Sequence, residues 1–242
     1  VRNVLQALQQ MTDPRLNYGR EAIIELARAC PRATCILDIA AGSGEDLRNL
    51  STTHPKAHLI AYDFCQSSVD ALTAQGFEAH CVDLEHGIFP AVPGSVDIVV
   101  ANQILEHTKE LFWIFDCMLR ALRPGGHLII GVPNLASLHN RLLLALGRQP
   151  TPIRSASAHV RGFTRSDLVD FVESCFPAGL QLVAYRGSNF YPFPPFIARP
   201  LAQLLPSMAW GNFYLFQLAR PYDGGFLRFP DTESLETNFR TS

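Results

Sequence analysis

At 242 residues and 48% hydrophobic, the chain is long enough to bury one sizeable core, and a single domain is expected over 1–242. Its 20 basic and 22 acidic residues leave a net charge of −2 and no basic run that would track a phosphate backbone, which argues against a nucleic-acid partner. The six cysteines show neither a CxxC pair nor zinc spacing, no stretch reaches the roughly 18 apolar residues of a spanning helix, and the polar Asn3, Gln6, Gln9 and Gln10 do not suit a signal peptide; a reduced, cytoplasmic protein is expected.

Residues 1–33 read as an N-terminal helical arm: 1–16 are polar and mildly amphipathic, and Ala22, Ile23, Leu26 and Ala27 mark one buried helical face over 20–29, stopped by Pro31. A strand follows at about 34–39, a helix from Gly44 to about 50, and a strand at 58–62 that ends on Asp63. Strands at 79–82 and 96–101 are short apolar runs with polar ends, the pattern of parallel strands covered on both faces. The segment 109–122 carries Leu111, Phe112, Ile114, Phe115, Met118, Leu119 and Leu122, enough for a helical core face. Arg123-Pro124-Gly125-Gly126 then turns the chain into a fifth strand at 127–132, stopped by Pro133 and Asn134. Strands alternating with helices over 34–133 require a parallel sheet wound by right-handed crossovers.

Beyond 134 the pattern loosens. A Leu-rich helical piece at 138–146 and a loop at 147–158 give 135–163 the look of an insertion over the strand ends. A helix at 164–176 starts on Thr164, with Asp167 completing a capping box, and 180–186 and 213–218 read as the last two strands. Between them, Phe190-Tyr191-Pro192-Phe193-Pro194-Pro195-Phe196 leads into 197–205, so 190–211 reads as a second substrate or lid insertion. Residues 221–242 read as a polar tail.

The chemistry gathers around 36–45. Four apolar or β-branched positions run into Asp38 and then Ala40-Ala41-Gly42-Ser43-Gly44, a buried strand turning sharply into a helix. Gly42 and Gly44 allow unusual backbone angles and let a ligand approach the main chain, while the first amides of the next helix face outward. A dinucleotide fingerprint wants a third glycine where this chain has Leu47, which weakens the pyrophosphate reading. Asp63 lies 19 residues beyond Gly44, where open α/β folds place a carboxylate that accepts from both ribose hydroxyls. The plain alternative makes Asp63 a helix cap.

In combination these segments resemble the class I S-adenosylmethionine-dependent methyltransferases of small-molecule type, such as those of ubiquinone biosynthesis. That resemblance covers roughly 34–134 and implies a doubly wound, mostly parallel seven-stranded sheet of the Rossmann-like methyltransferase type, with an antiparallel last strand and lid insertions. Asp38, Ala40, Ala41, Gly42 and Gly44 match the loop that holds the cofactor's methionine part; the two alanines stand where glycine or cysteine is common and are small enough for the loop to close. Asp63 matches the ribose acid, Phe64 a ring beside the adenine, and Val82-Asp83-Leu84 the segment at the adenine edge. Asp97 to His107 resembles a fourth-strand motif with Leu-Glu-His, which puts Asn102 and Gln103 beside the methionine arm and His107 in the cavity. Tyr18 of the preceding arm joins the cofactor-binding set. His159-Val160-Arg161-Gly162-Phe163-Thr164 resembles a later motif bordering the active site, making His159 the leading base candidate and His107 the second. Asp83 as a loop acid and His107 as a hydrogen-bonded helix-start residue are the plain alternatives.

The resemblance implies in-line methyl transfer from S-adenosylmethionine to an oxygen, nitrogen or carbon of a small-molecule acceptor, giving S-adenosylhomocysteine without a metal. A non-catalytic cofactor-binding relative and an NAD-dependent oxidoreductase are the rival readings. The 190–216 region, with Arg199 nearly alone among apolar residues, lacks the basic face of a membrane anchor; a lid or a homodimer contact is preferred there.

Overall fold

The computed structural model describes residues 13–235, so the first part of the expected N-terminal arm and the end of the expected tail lie outside the described residues. The strands are β1 (Cys35–Ile39), β2 (His58–Asp63), β3 (Glu78–Cys81), β4 (Val96–Asn102), β5 (Leu122–Pro133), β6 (Leu180–Ser188) and β7 (Gly211–Leu218). The helices are α1 (Pro14–Asn17), α2 (Arg20–Ala29), α3 (Glu45–Thr53), α4 (Gln66–Ala74), α5 (Leu111–Ala121), α6 (Leu138–Ala145), α7 (Arg165–Cys175), α8 (Pro195–Leu204) and α9 (Gly225–Thr232). Among the described residues the strands form one seven-stranded sheet in the order β3-β2-β1-β4-β5-β7-β6. β1 to β5 pair in parallel, and the last strand, β7, runs antiparallel to both its neighbours, as expected.

Alternation along the strands divides the core. Ile36, Ile98, Val100, Ile129, Phe213 and Leu215 face Ile23, Leu26 and Ala27 of α2. Leu37, Ile39, Val99, Leu128, Ile130, Tyr214 and Phe216 face α5 and α7 through Phe115, Met118, Leu168 and Val172. Each fully buried side chain of this size contributes roughly 1.5–3 kcal/mol, so a slip of one residue in register is strongly opposed. From β1 the chain moves outward to β2 and β3, then crosses back to β4 on the other side of β1. The carboxyl ends of β1, β2 and β4 therefore flank a crevice at the point where the winding reverses.

Two expectations need correction. The fifth strand starts before the expected 127: β5 begins at Leu122, opposite Val96, and resumes at His127, opposite Ile98, with Arg123-Pro124-Gly125-Gly126 turning out between them, Gly125 at φ +77° and Arg123 paired with Asp97. The segment from 221 is not a polar tail either. Tyr222 donates to Asp116 Oδ1 at 2.7 Å, and fully buried Phe226 of α9 stacks on Phe115 with centroids 4.8 Å apart. Tyr222, Phe226 and Pro230 recur every four residues, a helical stripe diluted by the polar residues between them. At α7, Thr164 Oγ1 accepts from Asp167 N at 3.2 Å, the expected cap.

Candidate active site

Three loops are lashed to neighbouring strand ends. Ala41 N donates to Tyr62 O at 2.9 Å, Val82 N to Asp63 O at 2.9 Å, and Gln103 N to Gly131 O at 2.7 Å. The first loop turns through Ala40, Gly42 and Gly44 at φ +63°, +53° and +76°. A Cβ on Gly44 would strike Leu72, whereas a Cβ on Gly42 would meet nothing within 4 Å, so open space lies beside that main chain. Ala40 is an L residue in the left-handed region, which costs about 1–2 kcal/mol. Ala40→Gly removes that strain against a smaller loss to unfolded-chain entropy. It is expected to raise stability by about 0.5–1 kcal/mol, checked by denaturant unfolding.

Asp63 closes this loop. Its Oδ2 accepts from Gly42 N and its Oδ1 from Cys65 N, both at 2.9 Å, leaving each oxygen a further lone pair. Asp38 is buried at the same edge, and burial, followed by the charges of Asp46 and Asp63, pushes its pKa well above the usual carboxylate range. Sequence reasoning passed over Asp46 and Arg20. Asp46 Oδ2 accepts from Asn102 Nδ2 at 2.8 Å, and the same amide donates to Tyr18 O at 3.1 Å. Arg20 pairs with Glu45 at 3.0 Å and lies over the Tyr18 ring at 4.9 Å. Burial also raises the Asp46 pKa, against the Asn102 hydrogen bond and the Arg20 charge that lower it.

Around this edge Asn102 Oδ1 and Gln103 Nε2 are buried without a hydrogen-bond partner among the described residues, and Arg20 Nε and Asp46 Oδ1 have none beyond their mutual ion pair at 3.8 Å. Such orphans are rare unless a ligand or water serves them. Asp46 Oδ1 lies 3.8 Å from Arg20 Nε, and Asp38 feels the charges of Asp46 and Asp63, a crowding of carboxyl groups that a cationic ligand with its own hydrogen-bonding groups would relieve.

The other expected residues fall into two groups. Phe64 lies on the lip beside Asp63 with its ring 78% exposed, and Val82 and Leu84 are buried. Asp83 closes its own turn: Oδ1 accepts from Glu85 N at 2.9 Å and Oδ2 meets His86 Nδ1 at 3.0 Å, a bond that lowers the Asp83 pKa. His107 and His159 come together from 52 positions apart in sequence, rings edge to face at 4.6 Å, where Val160 N donates to Glu106 O at 2.8 Å. Donor atoms of Glu106, His107 and His159 lie within 4.8 Å of one another. His159 Nδ1 and Glu106 Oε2 are buried without partners among the described residues. Burial, then the neighbouring His107, lowers the His159 pKa.

Burial raises the Glu106 carboxyl from 4.5 to about 7. The folded protein thus holds a proton there that the unfolded chain releases. The stabilisation is complete below pH about 4.5 and is lost as pH rises through about 7, a swing of about 3 kcal/mol. Glu106→Gln is expected to flatten that dependence and be the more stable protein at pH 8, read from denaturant midpoints across pH. Where a dinucleotide site has its third glycine, Leu47 is fully buried against Ala61 and Leu72, which closes that position to a pyrophosphate.

Residues 37–128 match the family model described as "Methyltransferase domain". The ubiquinone biosynthesis O-methyltransferase of Cupriavidus pinatubonensis is 32% identical over 104 residues, covering 41% of this chain and 40% of that protein. The malonyl-[acyl-carrier protein] O-methyltransferase of Xylella fastidiosa is 30% identical over 125 residues, covering 50% of this chain and 41% of that one. The chain thus spans about two-fifths of the length of these curated relatives. The Burkholderia thailandensis 1,6-didemethyltoxoflavin-N1-methyltransferase, solved with bound 1,6-didemethyltoxoflavin and S-adenosylhomocysteine, shares the fold at TM-score 0.56 and 16% identity, over 86% of this chain and 80% of that one.

Proposed function

We propose, from the premise that this chain belongs to the class I S-adenosylmethionine-dependent methyltransferases, that it transfers a methyl group from that cofactor to a nucleophilic atom of a small molecule. The observation that carries the reading is the open face of Gly42, held by Asp63, together with the buried Asn102 Oδ1 and Gln103 Nε2 left without partners at the end of β4. When bound, the cofactor supplies an electrophilic methyl carbon on a sulfonium.

The chain's own residues do the rest. The free lone pairs of Asp63 suit a vicinal diol, Asn102 Oδ1 suits an ammonium group, and the Arg20–Asp46 pair offers one charge of each sign to an amino acid's two ends. Phe64 offers a ring face beside Asp63, and the Val82 to Leu84 backbone offers donors and acceptors to a base edge. Holding donor and acceptor in line is worth roughly 7–11 kcal/mol, more than the roughly 3–5 kcal/mol of a general base. We assign the proton-accepting role to His159, with His107 against its ring, because a neutral imidazole with a lowered pKa and an unpartnered Nδ1 is ready to take a proton at neutral pH.

Isothermal titration with S-adenosylmethionine and S-adenosylhomocysteine tests the reading, which fails if neither gives heat. Turnover assays separate an enzyme from a binding protein. Under this reading Glu106, His107 and His159 handle a proton and hold no cation, so dialysis against EDTA is expected to leave turnover unchanged. Loss of activity, restored by magnesium or zinc, reassigns the three to a metal centre. No described helix is long and apolar enough to cross a membrane.

A further inference from the structure

The two insertions expected at 135–163 and 190–211 meet beyond the ends of β5 and β7. Asn134 Nδ2 donates to the carbonyls of Ser207 at 2.9 Å and Ala209 at 2.8 Å. His139 of α6 stacks on Trp210 at 4.7 Å with planes 16° apart, and Tyr191 meets it edge-on at 5.2 Å. Between the insertions lies a cleft of about 490 Å³.

The cleft is a built structure. His139 is held at both nitrogens, Nδ1 against Ser137 Oγ at 3.0 Å and Nε2 against Thr151 Oγ1 at 3.1 Å. Thr151 N in turn donates to Asn140 Oδ1 at 3.0 Å, which fixes the loop after α6. One wall is apolar although wet: Leu142 and Leu146 line it while 58% and 74% exposed. Arg148 and Arg154 complete the lining, which contains no acidic residue.

Seven arginines elsewhere, Arg20, Arg120, Arg123, Arg186, Arg199, Arg220 and Arg228, pair with carboxylates. Arg148 and Arg154 have no carboxylate partner among the described residues, in a chain whose acids outnumber its bases. His139 adds no compensating charge, since burial and the Arg154 charge push its pKa down to about 4.

The cleft also adjoins the site already described. Asn17 lines it, and the next residue, Tyr18, gives the carbonyl that takes the Asn102 amide. From Thr151 and Arg154 in its lining the chain runs on to His159 over Glu106.

We propose that this cleft holds the methyl acceptor, and that the acceptor is an anionic amphiphile: an aromatic or aliphatic body against Trp210, Tyr191 and Leu142, and a carboxylate or phosphate between Arg148 and Arg154. The assignment rests on the methyltransferase reading above. Guanidinium forks match both anions, and Trp and Tyr rings offer flat apolar faces.

The test uses the Trp113→Phe protein, which leaves Trp210 as the one tryptophan reporter. It is titrated with 2-naphthoate, 2-naphthyl phosphate, 2-naphthalenemethanol and 2-naphthylmethylammonium. One anion is expected to quench Trp210 with an affinity at least tenfold above those of the alcohol and the ammonium; the better of the two identifies the head group. Arg148→Ala/Arg154→Ala in the same background is expected to abolish that preference while leaving the melting temperature unchanged and the S-adenosylhomocysteine affinity within twofold of the parent. Equal affinities for all four probes, absence of quenching, or a preference that survives the double substitution overturns the proposal. S-adenosylhomocysteine titrated into the same samples reports separately on the methyltransferase reading, so failure of one is not mistaken for failure of the other.

Discussion

Replacing Asp63 by alanine is expected to weaken S-adenosylhomocysteine binding by about 10²–10⁴-fold. The carboxylate already takes Gly42 N and Cys65 N, one on each oxygen, and still has two lone pairs for a ribose diol. Two charge-assisted hydrogen bonds at roughly 1.5–3 kcal/mol each account for that range. The substitution also frees Gly42 N and loosens the loop, so Asp63→Asn serves as a partner variant. It keeps the shape and one acceptor oxygen but presents an amide NH₂ to one of the two backbone donors. Titration calorimetry should rank the affinities parent, then asparagine, then alanine, with all three proteins melting cooperatively. An alanine variant that binds within threefold of the parent would remove Asp63 from the cofactor site.

The second large effect is expected on turnover. His159→Ala should lower kcat by about 10²–10⁴-fold, the usual span of a general base, with the affinity for S-adenosylhomocysteine changed by less than twofold. The pH profile distinguishes a base from a packing residue. Burial and His107 depress the His159 pKa, so the parent loses activity only as pH falls below the ordinary imidazole range around 6.5, when the ring takes a proton. The alanine variant should lack that acidic limb. If instead it keeps the limb and loses cofactor affinity, the ring's contact with His107 is structural. An amine acceptor already present as the free base would leave kcat nearly unchanged, which would locate the chemistry in alignment alone.

The donor side of this site was largely legible in the chain because its parts are local. Asp38, the two glycines and Asp63 sit at the ends of adjacent strands, and strand ends show as apolar runs that stop on an acid. Ala40 kept the loop closed, as its small size implied, but in a left-handed conformation that composition does not reveal. Arg20 and Asp46 were invisible for the opposite reason. They meet Tyr18 and Asn102 only because α2 packs across the sheet, and no periodicity encodes that crossing. Glu106 was quoted within its motif without a role, since burial of its carboxyl depends on the loop that carries His159. The stripe at Tyr222, Phe226 and Pro230 was masked by arginines and aspartates, which place α9 at the surface on one side and against Phe115 on the other.

The position of β7 sets an order of events for the growing polypeptide. β6 is synthesised first, yet its neighbour in the sheet is β7, and β7 wedges between it and β5. Until residue 211 leaves the ribosome, β6 has an unsatisfied edge on both sides, while Arg20, Asp38, Asp63, Asn102 and Gly131 have long since emerged. Trp210 arrives immediately before β7, so the aromatic floor and the closure of the sheet come at the same late moment. Nascent chains arrested before β7 should therefore expose β6 to proteases and misassembly, the hazard of non-local strand pairing.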